Sequence, residues 1–180
     1  YPLAQGILAV TSSTAYLLMS PDDPEEVRRI RAIAEKALAL GQDIPFVMVN
    51  AASALATIGL PEQALQPLRA ALQKAPDLGP VHFVSGWVCC VLNRPEEALD
   101  YLETAARLTP VPYMQPYIAD WRCNAMIRMG RWREAEAVID QSRALSPQYP
   151  FAHITKAVIL WLNQQREAAR ELFALLRNQG

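Results

Sequence analysis

An apolar residue, a turn residue, a polar or proline-led pair and an alanine follow one another in the same order four times along this chain. The first two are Ile58-Gly59-Leu60-Pro61-Glu62-Gln63-Ala64-Leu65 and Leu92-Asn93-Arg94-Pro95-Glu96-Glu97-Ala98-Leu99. The others are Met129-Gly130-Arg131-Trp132-Arg133-Glu134-Ala135-Glu136 and Leu162-Asn163-Gln164-Gln165-Arg166-Glu167-Ala168-Ala169. Their alanines Ala64, Ala98, Ala135 and Ala168 stand 34, 37 and 33 residues apart. A second marker keeps the same beat: Ala75-Pro76-Asp77, Thr109-Pro110-Val111 and Ser146-Pro147-Gln148 each place a proline twelve residues beyond the corresponding alanine. Two markers in phase at this spacing are the signature of a repeat architecture.

The physical content of the motif is a helical hairpin. Gly59 and Gly130 tolerate the left-handed backbone that ends a helix, and asparagine, here Asn93 and Asn163, is the next most tolerant residue. Pro61 and Pro95 suit a first helical turn, which has no amide bond to lose, and Glu62, Glu96 and Glu97 complement the positive end of the new helix. The alanines lie one turn in, where a small side chain lets two helices approach, and the closing prolines stop the second helix. First helices are predicted near 45–58, 79–92, 115–129 and 149–162, and second helices near 61–75, 95–108, 132–145 and 165–178. Upstream, Asp22-Asp23-Pro24-Glu25-Glu26-Val27 opens a capped helix that runs to about Leu40 and ends at Gly41, with Leu3 to Met19 as its partner. The expectation is an all-α, right-handed superhelical solenoid of about five antiparallel hairpins forming one domain over 1–180: an irregular first hairpin at 1–43, then repeats at 44–77, 78–114, 115–148 and 149–180. The three extra residues of the 37-residue interval fall in Val111-Pro112-Tyr113-Met114-Gln115-Pro116, as a longer connecting loop.

Composition narrows the function classes. A hydrophobic fraction of 52% with 19% charged residues supports a packed core. Seventeen basic and eighteen acidic residues leave a net charge of −1 with no block of one sign, so no electrostatic footprint for nucleic acid is present. Tyr1 to Ser20 carries no charge, but Gln5, Thr11, Ser12, Ser13 and Thr14 interrupt the apolar run and no basic segment precedes it, so no membrane span is expected. Three cysteines, Cys89, Cys90 and Cys123, lack C-x-x-C spacing; they point to buried thiols in a reducing, cytoplasmic setting rather than to zinc or disulfides. His82 and His153 have no neighbouring partner for metal binding or catalysis, and the seven glycines form no phosphate loop. The acidic pairs Glu25-Glu26 and Glu96-Glu97 are explained by the helix dipole. Neither an enzymatic activity nor a cofactor is expected.

The period near 34, the glycine or asparagine turn, the early alanine and the closing proline resemble the tetratricopeptide repeat over roughly residues 44 to 180. The aromatic expected early in the first helix is replaced by Met48, His82, Ala119 and Ala152. More loosely, Arg94-Pro95-Glu96-Glu97-Ala98 to Leu145-Ser146-Pro147-Gln148-Tyr149-Pro150 is similar to repeats behind the effector domains of bacterial nucleotide cyclases and winged-helix transcription activators. The resemblance implies a concave groove lined by first helices. Its positions carry over to Phe46, Val49, Asn50 and Ser53; Phe83, Val84, Trp87 and Cys90; Tyr117, Asp120, Trp121, Asn124 and Arg128; and His153, Ile154, Ala157 and Trp161. It further implies a protein or peptide partner, with Asn50 and Asn124 as candidates to bond a peptide backbone. Chaperone-binding repeats of this family clamp an acidic tail with lysines, and these positions hold none, so the expected ligand is apolar or amphipathic. The start at Tyr1 leads us to expect the regulatory module of a larger bacterial protein, with an effector domain before Tyr1. The alternatives are a standalone secretion chaperone or assembly adaptor that shields an apolar client segment, and self-association through the same face.

Overall fold

The computed structural model describes residues 1–19, 21 and 23–177. Ser20, Asp22 and residues 178–180 lie outside the described residues, and with them the proposed opening residue of the second helix and the last position of the final one. Among the described residues ten helices run in order: α1 (Pro2–Met19), α2 (Pro24–Leu40), α3 (Pro45–Thr57), α4 (Pro61–Lys74), α5 (Gly79–Val91), α6 (Pro95–Leu108), α7 (Gln115–Arg128), α8 (Trp132–Leu145), α9 (Pro150–Leu162) and α10 (Arg166–Arg177). Each odd-numbered helix packs on its even-numbered partner, and each of α2, α4, α6 and α8 packs on the first helix of the next hairpin. Successive first helices also touch directly. This is the all-helical repeat solenoid that the sequence predicts.

The local causes are visible at both helix ends. Asp23 caps α2 by accepting the backbone N–H of Glu25 at 2.8 Å. Prolines occupy the first turn of α2 to α7 and of α9, where they forfeit no hydrogen bond. In α7 that proline is Pro116, so the enlarged loop ends at Met114 and Pro116 lies inside regular helix. The uncharged α1 bonds its hydroxyls back to its own carbonyls, Thr11 to Ile7 and Thr14 to Val10, both at 2.9 Å. It lies hard against α3 at Gly6, where an added Cβ would stand 3.3 Å from the Cα of Val47.

Four hairpin turns share one construction. Gly59, Asn93, Gly130 and Gln164 have φ of 83°, 57°, 74° and 67°. The next residue donates its N–H to a carbonyl five positions back at 2.9 Å in all four: Leu60 to Leu55, Arg94 to Cys89, Arg131 to Met126 and Gln165 to Leu160. This is the Schellman pattern that closes a helix on a left-handed residue. In each turn an alanine, fully buried, follows five residues later: Ala64, Ala98, Ala135 and Ala169.

The last turn corrects the sequence expectation. Asn163 has a φ of −76°, and Gln164 takes the left-handed position. Ala169 is accordingly buried while Ala168 is exposed, and the spacing from Ala135 to Ala169 returns to 34 residues. The amide of Asn163 is used instead as a tie to α8, donating from Nδ2 to Glu136 Oε2 at 2.6 Å. A one-residue slip turns every side chain of a helix by about 100°, so it matters for the inner face of α9.

The core forms two clusters, one from α1 to α5 and one from α5 to α9, with half-buried Phe83 packed against both; it is rich in alanine, with Ala34, Ala37, Ala51, Ala52, Ala54 and Ala71 fully buried. The α8–α9 junction is the polar exception. Lys156, 8% exposed, donates from Nζ to Glu136 Oε1 at 2.9 Å and to Asp140 Oδ2 at 2.7 Å.

The turn assignment is testable. Gln164→Gly removes the left-handed cost of a side chain, about 1–2 kcal/mol, less the entropy of glycine, about 0.5–1 kcal/mol. It should raise the melting temperature by about 2 °C. Asn163→Gly puts glycine into helical backbone and removes the Glu136 tie, and should lower stability by about 1–2 kcal/mol. Melting curves with the opposite order would return the turn to Asn163.

Candidate functional site

The positions expected to line a groove lie on α3, α5, α7 and α9, at equivalent places in successive repeats. Counted from the buried alanine of each second helix, Phe46, Tyr117 and Phe151 occupy one position, and Ser53, Trp87, Asn124 and Val158 another. Trp87 and Trp121 come together across α5 and α7, with ring centroids 6.0 Å apart and planes tilted by 46°. A second aromatic group joins α7 to the start of α9: Tyr117 and Tyr149 at 4.8 Å, and Tyr149 and Phe151 at 5.7 Å. These tilted, offset contacts are the arrangement that the ring quadrupole favours.

The positions expected to line the groove have different fates. Phe46, Tyr117 and Trp161 are exposed at 43%, 44% and 46%, while Phe83, Trp87 and Trp121 are half-buried. Asn50 is half-buried beside α1, its Cβ 3.6 Å from where a side chain on Gly6 would begin. Arg128 is exposed and donates to Asn124 Oδ1 at 2.9 Å and to Asn93 Oδ1 at 3.2 Å. The Asn124 carbonyl oxygen is therefore engaged within the protein. Val49, Val84, Cys90 and Ala157 are buried.

His153 does not join this group. Its Nε2 lies 2.7 Å from the carbonyl of Pro147, and its Nδ1 accepts from Arg143 Nε at 3.2 Å, so the ring faces α8 and the preceding loop. His82 makes the same contact two loops earlier, 2.7 Å from the carbonyl of Pro76. The two histidines are counterparts that staple a first helix to the loop before it.

With the register of α9 corrected, one side of the helix shows Phe151, Ile154, Val158 and Trp161, exposed at 57%, 43%, 37% and 46%. Their spacing of 3, 4 and 3 residues is one face of a helix, and the ladder is about 15 Å long. The Arg166 guanidinium sits 5.4 Å from the Trp161 ring centroid and closes the ladder's end. Tyr149, Phe151 and Val158 escape a sequence reading that places the turn at Asn163. The 34-residue interval from Ala135 to Ala169 is the signal that finds them.

Burial raises the Asp120 carboxyl above its ordinary range, opposed by the hydrogen bond that Thr155 Oγ1 donates to Asp120 Oδ1. Burial, with the Asp120 charge second, also pushes the Tyr149 phenol up. The three thiols are free and buried; burial pushes Cys89 to about 11 and Cys90 and Cys123 to about 12, so all three are protonated at neutral pH. Such thiols are poor nucleophiles.

No protein-family model matches the chain, and no curated protein matches it. Solved structures do. PilW, a widely conserved type IV pilus biogenesis factor, is 25% identical with a TM-score of 0.77 over 96% of this chain and 76% of its own. MamA from Desulfovibrio magneticus RS-1 is 14% identical with a TM-score of 0.71, over 97% of this chain and 94% of its own. YrrB, a TPR protein with an unusual peptide-binding site, is 19% identical with a TM-score of 0.64, over 94% and 84%. The fold is TPR-like. Among the described residues no helix is long and apolar enough to cross a membrane.

The raised Asp120 carboxyl carries a pH signature. Its folded pKa lies above the unfolded value, so the folded chain holds the proton to higher pH, and stability is lost as pH rises from about 4 through the folded value. Asp120→Asn keeps an acceptor for Thr155 without that loss. The variant should exceed wild type in stability at pH 7, with the gap narrowing as pH falls and levelling out below about pH 4. A pH-independent difference in denaturant midpoints would show that Asp120 is not desolvated.

Proposed function

We propose that this solenoid is a protein-interaction module that holds an apolar or amphipathic segment of a partner on the inner wall of its C-terminal half. The observation that carries it is the exposed ladder Phe151, Ile154, Val158 and Trp161, continued by Tyr117. Soluble proteins seldom leave aligned aromatic and aliphatic side chains open to water without a binding role. Aromatic anchors supply most of the energy at interfaces, and a ladder of helical spacing suits an amphipathic helix laid against it. Phe46, Phe83, Trp87 and Trp121 extend the surface toward α3. The inner wall offers no lysine to an acidic tail, and Arg128 is already bound to Asn93 and Asn124.

We place the module in a reducing, cytoplasmic compartment, in keeping with three free, buried thiols. Its role is that of a regulatory or scaffolding part of a larger bacterial protein. A second reading, an assembly adaptor that shields an apolar client segment, is supported by the likeness to PilW, itself described as a pilus biogenesis factor.

Selection of peptides from a random displayed library against the purified protein tests the site. Enriched sequences should place apolar residues at helical spacing, and a synthetic copy should bind the double variant Val158→Asp, Trp161→Ala at least about 10-fold more weakly, the loss of about 1.4 kcal/mol expected when an interface anchor goes. Enrichment of acidic carboxyl-terminal tails, or equal affinity for both proteins, would move the site elsewhere.

A further inference from the structure

Each of α2, α4, α6 and α8 is covered by the first helix of the next hairpin, and the bonds across those junctions identify the covering positions. From α4 onward they lie one, four, five and eight residues after the buried alanine of the second helix. On α8 the first, third and last of these are Glu136, Asp140 and Arg143, which bond Lys156 and His153 of α9. Glu103 of α6 meets Arg122 of α7 from the same place as Asp140. The remaining position is the apolar centre of the junction, held by Leu68, Leu102 and Ile139, exposed at 2%, 0% and 0%.

On α10 these positions carry Arg170, Phe173, Ala174 and Arg177. Among the described residues no first helix follows α10, and Phe173 stands 43% exposed where its three counterparts are buried. The charge of the face is reversed as well. Arg170 takes the place of Glu136 and Ala174 that of Asp140, so the two carboxylates that receive Lys156 on α8 are both gone. Arg177 keeps the charge of Arg143 without the Asp140 that pairs with it at 3.5 Å. Both arginines are exposed, and neither is ion-paired among the described residues. The acids of α10, Glu167 and Glu171, are rotated by about 70–110° from the centre of the face at 3.6 residues per turn. A solenoid end built for solvent needs polar side chains and has no use for an aromatic at its centre. Arginine and phenylalanine together are residues enriched where proteins bind one another.

We propose that this face of α10, made by Arg170, Phe173 and Arg177, docks an acidic amphipathic helix of a partner protein. The docked helix lies where a further first helix would, and repeats the packing of α9 on α8 with the charges exchanged. Its apolar side covers Phe173, and its carboxylates take the guanidinium groups, which bind a carboxylate through two parallel N–H bonds. A second copy of this chain does not fit. Its α1, the first helix that would stack there, carries no charged residue and would bury both arginines unpaired. The acidic requirement also separates this face from the α9 ladder, whose proposed occupant is held by apolar contacts.

The probe is an alanine-based helical peptide of about 18 residues, above the length at which isolated helices become marginal, with leucines at helical spacing flanked by glutamates. Two counterparts carry glutamine or lysine in place of glutamate, and a leucine-free polyglutamate of the same length tests charge alone. Fluorescence anisotropy with the full chain should show the glutamate peptide binding at least about 10-fold tighter than the glutamine peptide and polyglutamate, with the lysine peptide weakest. The double variant Arg170→Glu, Arg177→Glu, altered at exposed positions and copying Glu136 at the first, should keep its melting curve and prefer the lysine peptide. Phe173→Ala should weaken the glutamate peptide at least about 5-fold and keep the order of the three. Val158→Asp, on the α9 ladder, should change nothing. Equal binding of the three peptides, an order that survives the charge reversal, or loss of binding in Val158→Asp would overturn the proposal. So would polyglutamate or phosphatidylserine vesicles binding as tightly as the glutamate peptide, which would reduce the face to a general attractor of anions.

Discussion

Every hairpin turn from α3 onward is held by one residue with positive φ and one N–H that reaches back five residues at 2.9 Å, and the rest of the molecule takes its register from that pair. The left-handed residue reverses the chain within a few atoms, so the second helix starts in a fixed rotational phase. Five residues later an alanine therefore always meets the first helix. The same phase decides which residues of the first helix face inward. Gly59 and Gly130 have no neighbour within 4 Å of an added Cβ. Conformation alone, not space, demands glycine there.

Three of the four turns are legible because their residues announce the conformation: Gly59, Asn93 and Gly130. The fourth is not. Asn163 stands beside Gln164, and local preference favours asparagine for a left-handed residue. The tertiary structure instead engages Asn163 with Glu136, and glutamine carries the strain. The arrangement of helices survives that error, since a slip of one residue moves a helix end by only about 1.5 Å. The site survives it only in part. The slip selects His153, which reaches the preceding loop, and the buried Ala157, and it passes over the exposed Phe151 and Val158, while Ile154 and Trp161 belong to both sets. Fold depends on where helices lie, whereas a site depends on how they are turned.

The junctions between hairpins differ in what holds them. Lys156 on α9 meets Asp140 on α8, and Arg122 on α7 meets Glu103 on α6, through equivalent positions in successive repeats. The equivalent place on α5 holds Ser85, and the residue that follows the buried alanine is Leu65 or Leu99 before it becomes Glu136. A buried ion pair largely offsets its own desolvation, so its net stability is small, but separating it strands a charge in the interior. The α8–α9 junction, where Lys156 is buried, thus trades apolar area for pairing specificity. A shifted stacking of α9 on α8 would leave the Lys156 ammonium without either carboxylate.

That specificity bears on binding, because the apolar ladder of α9 is only as well placed as the α8–α9 junction that carries it. Lys156 is two residues from Ile154 and from Val158, on the opposite side of the same helix turn. Its two carboxylate contacts, the Asn163 tie and the His153 staple fix the rotation of α9 from one side, and Phe151, Ile154, Val158 and Trp161 are presented from the other. Directed bonds at a junction add an orientation requirement to what close packing already imposes. Under the proposed function, holding exposed aromatics in one orientation lowers the ordering entropy of binding, and the polar residues of the α8–α9 junction are what would hold them.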